Sequence, residues 1–213
     1  MPEVLLDGDW SDNPWLSPPD VVVFADDFAR PDGSIIGQHT PIGDLVWTKY
    51  VGGSDPGSDV VIRSGSAGPT IASSNLLVMG LVDAGTADGI LIATFNAGEG
   101  NTANFLPFRF IDGSNFLQMT VISGNWVLRK RTGGTYTILV ATGVPKAPGD
   151  VFTITLRGNS VIVAINGEER VNILEPDHAT ATRHGIGSLP TPGNADPSST
   201  WRDISLTIPG SWS

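Results

Sequence analysis

Cleaving a glycosidic bond takes two carboxylates, one to donate a proton and one to attack or to activate water. This chain has five glutamates: Glu3, Glu99, Glu168, Glu169 and Glu175. On a single strand a same-face pair takes the form Glu-x-Asp-x-x-Glu, and none of the five lies in that pattern. Glu168 and Glu169 are adjacent, so a strand would send them to opposite faces. Strand–elbow–helix units of Gly-x-Ser-x-Gly type are absent, as are Gly-x-x-x-x-Gly-Lys phosphate loops. No pair among His39, His178 and His184 has metal-ligand spacing, and His184, opening the strand-like HGIG, reads as a surface or capping residue. With no cysteine there is no thiolate nucleophile, disulfide, Cys-type zinc site or iron–sulfur cluster. The chain is therefore expected not to be an enzyme.

Binding a sugar asks for less: a stacking aromatic ring beside planar hydrogen-bonding groups. The block from 115 to 166 supplies them. FLQMTVI (116–122), WVLRKRT (126–132) and TYTILVAT (135–142) are joined by Gly124-Asn125 and Gly133-Gly134, the strongest short-range signal for β-hairpins. If Gly124-Asn125 is a two-residue loop, Thr120 opposes Arg129 and Gln118 opposes Arg131. If Gly133-Gly134 is another, Arg131 opposes Tyr136 and Arg129 opposes Ile138. Side chains alternate along a strand, so Leu117, Met119, Val121, Leu128 and Leu139 share the buried side. Gln118, Thr120, Arg129, Arg131 and Tyr136 share the other. The candidate carbohydrate site is Gln118, Arg129, Arg131 and Tyr136. The plainer alternative is a solvated face whose arginine stems cover apolar surface. Trp47, Trp126 and Trp201 read as core or rim anchors.

The elements that would hold this face are all strands. VFTITLR (151–157) and SVIVAIN (160–166) flank Gly158-Asn159, which points Phe152, Ile154, Leu156, Val161, Val163 and Ile165 inward. VVVFADDF (21–28), SNLLVMGLV (74–82), GILIATFN (89–96), FLPFRFI (105–111) and ISLTI (204–208) complete the set, and no window has helical periodicity. Glycine (26) and proline (16) make up about a fifth of the 213 residues, which punctuates the chain too often for long helices. The expected fold is an all-β antiparallel sandwich, in one domain over 21–213. Residues 1–20 carry Pro2, Pro14, Pro18 and Pro19 and read as an extended arm, with Trp10 and Trp15 as its partner-binding residues.

Charge narrows the partners. Twenty-two acidic residues against twelve Lys+Arg leave a net charge of −10, which opposes nucleic acid and anionic membrane surfaces. The first ten residues, MPEVLLDGDW, have neither a basic n-region nor an apolar h-region, so no signal peptide is expected and synthesis in a cytosol is.

Three stretches carry a resemblance. DDFARPDGSIIG (26–37), continued by Thr40, Gly43 and Trp47, resembles the Asp-x-Phe-x-Arg-x-Asp-Gly-x-x-Leu-Gly…Gly…Trp opening of laminin-G-like (concanavalin A-like) domains. That opening is associated especially with minor tail and other virion proteins of phages that infect actinobacteria. The hairpin block 115–166 and the ending GIG (185–187)…Trp201-Arg202-Asp203-Ile204 are similar to the family's as well. Pro31 and Ile36 depart from it, and residues 48–110 match only loosely. The resemblance implies a concanavalin A-like jelly roll and a non-enzymatic virion protein present in many copies, made in the host cytoplasm and oligomeric within a particle. Two roles compete: a minor tail protein that binds host cell-wall glycan, and a capsid decoration protein that binds only virion partners. A secreted bacterial carbohydrate-binding domain is the third reading. Structural Ca²⁺ is the one cofactor implied, at Asp27 and Asp203 beside Asp26, because the family's first and last strands are neighbours; carboxylates bonded to loop amides are the alternative. Asp55 and Asp59 of GSDPGSD are a second candidate.

Overall fold

The structure, a computed structural model, describes residues 18–53, 57–70, 76–97, 103–189 and 200–212. Trp10, Trp15 and Asp55 lie outside the described residues. Sixteen strands account for most of the rest, in chain order β1 (Val21–Asp26), β2 (Gly33–Ser34), β3 (Thr48–Val51), β4 (Asp59–Arg63), β5 (Ser66–Thr70), β6 (Val78–Asp83), β7 (Gly89–Ala97) and β8 (Ala103–Asp112). Then come β9 (Asn115–Ile122), β10 (Asn125–Thr132), β11 (Thr135–Pro145), β12 (Val151–Arg157), β13 (Ser160–Ile165), β14 (Glu168–Leu174), β15 (Arg183–Leu189) and β16 (Thr200–Ile208).

They form two antiparallel sheets. One runs β14-β13-β12-β7-β16-β5-β4-β2, with β1 also paired to β16. The other runs β11-β10-β9-β8-β15-β6-β3. This is the expected jelly-roll β-sandwich, with the first and last strands adjacent. Between the sheets lies the main core. The six residues expected to point inward from β12 and β13 are all buried in it, with Leu117, Met119 and Leu128 from the other sheet.

Two of its tryptophans are tethered. Trp47 Nε1 donates to Asp26 Oδ2 at 2.8 Å and Trp126 Nε1 to Asp150 Oδ2 at 2.7 Å. Asp26 also receives Arg30 Nη1 at 2.6 Å, Arg30 Nη2 at 2.9 Å and the Phe28 amide at 2.9 Å. The opening motif is thus a knot around one buried carboxylate. Gly43 belongs to it for reasons of space: at φ 90° its Cβ would stand 2.1 Å from the Val23 carbonyl oxygen. Trp201 is buried as well, so all three tryptophans assigned to core or rim are core.

The structure corrects two details. The β9–β10 loop is Ser123-Gly124, at φ 50° and 79°, not Gly124-Asn125, and Arg129 opposes Gln118 instead of Thr120. Moving a loop by one residue moves the pairing by two, so every side chain keeps its face. The Gly133-Gly134 loop is as expected, with Arg131 opposite Tyr136 and Arg129 opposite Ile138. His184 is not at the surface. It is fully buried, with Nε2 3.3 Å from the Thr86 carbonyl, because it shares the inward parity of Ile186 on β15. The last three residues of the arm also have a place on this domain: Asp20 Oδ1 accepts from the Gly210 amide at 3.0 Å, and the Pro18 and Pro19 carbonyls lie against Gly210.

Candidate functional site

The face of the seven-stranded sheet turned away from the main core is apolar too. Met79 and Leu81 on β6, Phe105 and Phe110 on β8, and Phe116 on β9 form a second buried cluster with Leu77. Met79, Leu81, Phe105 and Phe116 have the opposite parity to the core residues Val78, Leu106 and Leu117 on the same strands, and Phe110 reaches this side because the β8–β9 register shifts past Phe108, where Arg109 is left-handed at φ 49°. Tyr50 of β3 packs edge-on against Phe110, ring centroids 5.2 Å apart, and Tyr136 of β11 packs edge-on against Phe116 at 6.3 Å. The two rings wall a cleft of about 410 Å³, closed by Gly52 and Leu77 on one side and by Gly113, Ser114 and Arg131 on the other. The volume falls within the ~300–1,000 Å³ of small-molecule sites. The chain has only two tyrosines, and both line this cleft.

Backbone geometry places each wall. Gly113 sits in the β8–β9 turn, where a Cβ would stand 1.6 Å from the Tyr50 hydroxyl, so glycine lets that ring lie flush on the turn. Ser114 and Gly134 tie this turn to the β10–β11 turn through an amide-to-carbonyl bond of 3.0 Å. Arg131 clamps both turns, donating from Nη1 to the Gly113 carbonyl at 2.6 Å and from Nε to the Gly134 carbonyl at 3.1 Å.

The four residues expected to form the sugar-binding face do come together, but not as a solvated surface. Gln118 and Thr120 are fully buried. With its amide turned so that oxygen faces Arg129, Gln118 accepts from Arg129 Nη2 at 2.8 Å and from Nε. The Arg129 and Arg131 guanidinium carbons lie 3.9 and 4.8 Å from the Tyr136 ring centre. Gln118 and Arg129 thus support Tyr136 from beneath, while Arg131 and Tyr136 reach the cleft. Tyr50 was missed in sequence because residues 48–51 were assigned to no strand. The signal available was the rarity of tyrosine.

Neighbouring cations differ sharply in their environment. Lys130, on the opposite face of β10, holds Asp177 at 2.8 Å and Glu175 at 3.1 Å. The hydrogen bond to Asp177 raises its pKa, and Lys130 lowers that of Asp177. Arg129 has no such partner, and burial pulls its pKa below the ordinary value. Asp112, beside the cleft, is held below the usual carboxylate range by the Ser114 amide and the Asn115 side chain.

The calcium expectation finds its two positions side by side but engaged elsewhere. Asp26 pairs with Ile204, which sets Asp27 next to Asp203. Asp27 Oδ1 accepts from the Ala29 amide at 3.0 Å; Asp203 accepts from Thr94 Oγ1 at 2.8 Å and Arg202 Nε at 3.2 Å. Asp59 Oδ1 accepts from the next amide at 2.8 Å. Among the described residues no three His, Asp or Glu side chains group as metal ligands.

No family model matches the chain, and no curated protein matches it in sequence. Solved structures share its fold. The Crh5 transglycosylase is 13% identical over 91% of this chain and 85% of its own, with a TM-score of 0.57. A prokaryotic β-1,3-1,4-glucanase (lichenase) from a mouse hindgut metagenome is 10% identical over 88% and 98%, at 0.54. Domain 4 of AbnA, an extracellular arabinanase from Geobacillus stearothermophilus solved with arabinotriose, is 12% identical over 90% and 94%, at 0.50. What these likenesses show is the fold, an antiparallel jelly-roll β-sandwich. These likenesses correct the expectation that the chain is not an enzyme, since the same architecture serves a transglycosylase and a glucanase. The physical reason is that a Glu-x-Asp-x-x-Glu search finds carboxylates only along one strand. Carboxylates also converge outside a strand, as Glu175 and Asp177 do in the loop after β14, where both meet Lys130.

Proposed function

We propose that this protein binds glycans and that a sugar ring sits between Tyr50 and Tyr136. The observation that carries the reading is the convergence of the chain's only two tyrosines on one cleft, with a serine hydroxyl and turn backbone between them. Partly exposed rings offer an apolar face to the C–H side of a sugar, and the polar rim takes its hydroxyls. The fold shared with an arabinanase domain solved with arabinotriose supports the ligand class.

The test is isothermal titration of the full chain against a panel of soluble polysaccharides. Tyr50→Ala is expected to weaken binding by about 1–3 kcal/mol, the scale of a hot-spot contact. Gly113→Ala, whose new methyl must expel the Tyr50 ring, is expected to do the same without removing any aromatic group. Unchanged affinity in both variants would overturn the cleft as the site. The same mixtures assayed for reducing ends report whether bound glycan is also cut.

The likeness of residues 26–47 to phage tail-protein openings supports a more specific setting, in which the module is displayed in many copies on a virion and attaches to host cell wall by avidity. Mass spectrometry of purified particles checks it.

A further inference from the structure

We propose that the Tyr50–Tyr136 cleft selects an anionic saccharide, one bearing carboxylate, phosphate or sulfate groups, through Arg131 in its wall and the Arg129 charge beneath Tyr136; this rests on the glycan-binding reading above. The argument begins with three consecutive residues. Arg129, Lys130 and Arg131 alternate across β10, and only the middle one, facing the other way, meets carboxylates. Elsewhere Arg30, Arg109, Arg170 and Arg202 each pair with an aspartate or glutamate. Arg129 and Arg131 have no carboxylate within 4 Å among the described residues, in a chain where acids outnumber Lys+Arg twenty-two to twelve. Arg157 and Arg183 also lie over rings, but singly. Among the described residues, Tyr136 alone has two uncompensated guanidinium groups over one ring.

Such a pair is costly to maintain. A guanidinium drawn out of water without a counter-charge loses solvation that one amide and one ring restore only in part. A bound anion would supply the missing charge. The geometry is prepared for it: Arg131 spends Nε and Nη1 on two turn carbonyls, which fixes its plane, and Nη2 keeps its protons without a protein acceptor among the described residues. A guanidinium already held in place gives up little entropy when a carboxylate or phosphate docks on it. None of the residues lining the cleft is acidic. The nearest acid along the turn, Asp112, has its oxygens occupied by Ser114 and Asn115.

Titration of the full chain with polygalacturonate (carboxylate), a poly(glycerol phosphate) teichoic acid (phosphate), chondroitin sulfate (sulfate) and neutral linear arabinan tests this. One acidic polymer is expected to bind about tenfold or more tighter than arabinan, and its identity names the anion. Arg131→Gln is expected to lower that affinity about tenfold, the scale of one charge-assisted hydrogen bond, and so to narrow its lead over arabinan. Where Arg131→Gln melts early through loss of its turn carbonyls, Arg129→Gln, which removes the second charge at Tyr136, is expected to narrow the same lead over arabinan. Equal or tighter binding of arabinan would overturn the anionic preference and leave the glycan reading standing; binding of no polymer would overturn both. Undiminished polygalacturonate, teichoic acid or chondroitin sulfate binding in a folded arginine variant would also overturn the proposal.

Discussion

The seven-stranded sheet buries both of its faces, and the two are built differently. The face toward the nine-stranded sheet is closed: its indole N–H groups end on Asp26 and Asp150, and its cation Lys130 ends on two carboxylates. The other face packs Met79, Leu81, Phe105, Phe110 and Phe116 as tightly, yet its rim carries two tyrosines and two arginines without counter-charges. Charges are neutralised where the sheet serves stability and left open where it borders a cleft. Burial alone does not separate a structural face from a binding one. The state of the polar groups at its edge does.

The largest break in that contrast comes from the closed side. Asp26 is fully buried and accepts from Arg30, Trp47 and the Phe28 amide. Asp26→Ala leaves an indole N–H and a mostly buried guanidinium without their acceptor. The expected loss is about 3–5 kcal/mol, on the order of 10 °C in melting temperature for a chain of this size. Polysaccharide binding measured well below the melting point should stay as in the unmodified chain. A variant that melts normally, or one that folds but loses binding, would show that the two faces are not separable.

A second break comes from a corner of the closed side whose polar atoms are not all satisfied. His184 Nδ1 and Arg109 Nη1 are buried without partners, while Asp88 holds Arg109 at 3.2 Å. Burial first, and then the Arg109 charge, lower the His184 pKa to about 4, below the 6.5 of an unfolded chain; the Thr86 carbonyl and, more weakly, Asp83 act the other way. A histidine whose folded pKa is depressed takes up its proton more readily when unfolded. Its contribution is complete above about pH 6.5 and is lost as pH falls toward 4, about 3 kcal/mol in all. The lowered carboxylates, Asp83, Asp112 and Asp177, act below that window. Chemical denaturation at pH 7, 5.5 and 4.5 should therefore show a fall in stability that His184→Gln flattens. Parallel falls in both proteins would assign the acid sensitivity elsewhere.

What could be read in the sequence follows from which physical signals are local. Two-residue turns and strict alternation gave the β12–β13 register, the Arg131–Tyr136 pair and the face of every residue on β9 and β10. The short strands β2, β3, β4 and β5 were not legible. Ser66–Thr70 contains glycine and proline and is held by its neighbours instead of by its own propensity. Tyr50 was lost with them. A second apolar layer was also hidden. Phe105 and Phe116, on the outward parity, and Phe110, turned outward by the irregularity at Arg109, find their apolar neighbours in Met79 and Leu81, on a strand distant in sequence. His184 failed for a related reason: a polar residue on an inward position is assigned outward unless its buried partners are known.

The smallest expected effect tests the strands that serve both faces at once. The β9–β10 hairpin presents Leu117, Met119 and Leu128 to the core and Phe116, Gln118 and Arg129 to the cleft side, so its register sets both. That register depends on a loop whose residues Ser123 and Gly124 are both left-handed, at φ 50° and 79°. A serine at the first of these positions is strained, whereas asparagine tolerates it and is favoured in this turn type. Ser123→Asn is expected to stabilise the chain by about 0.5 kcal/mol. That corresponds to a rise of about 1–2 °C in melting temperature, with glycan affinity unchanged because no side chain changes face. A fall in stability would mean that the loop lies instead at Gly124-Asn125, where the sequence first placed it. That pairing would still keep every face but would set Arg129 opposite Thr120, removing the Gln118–Arg129 contact that supports Tyr136.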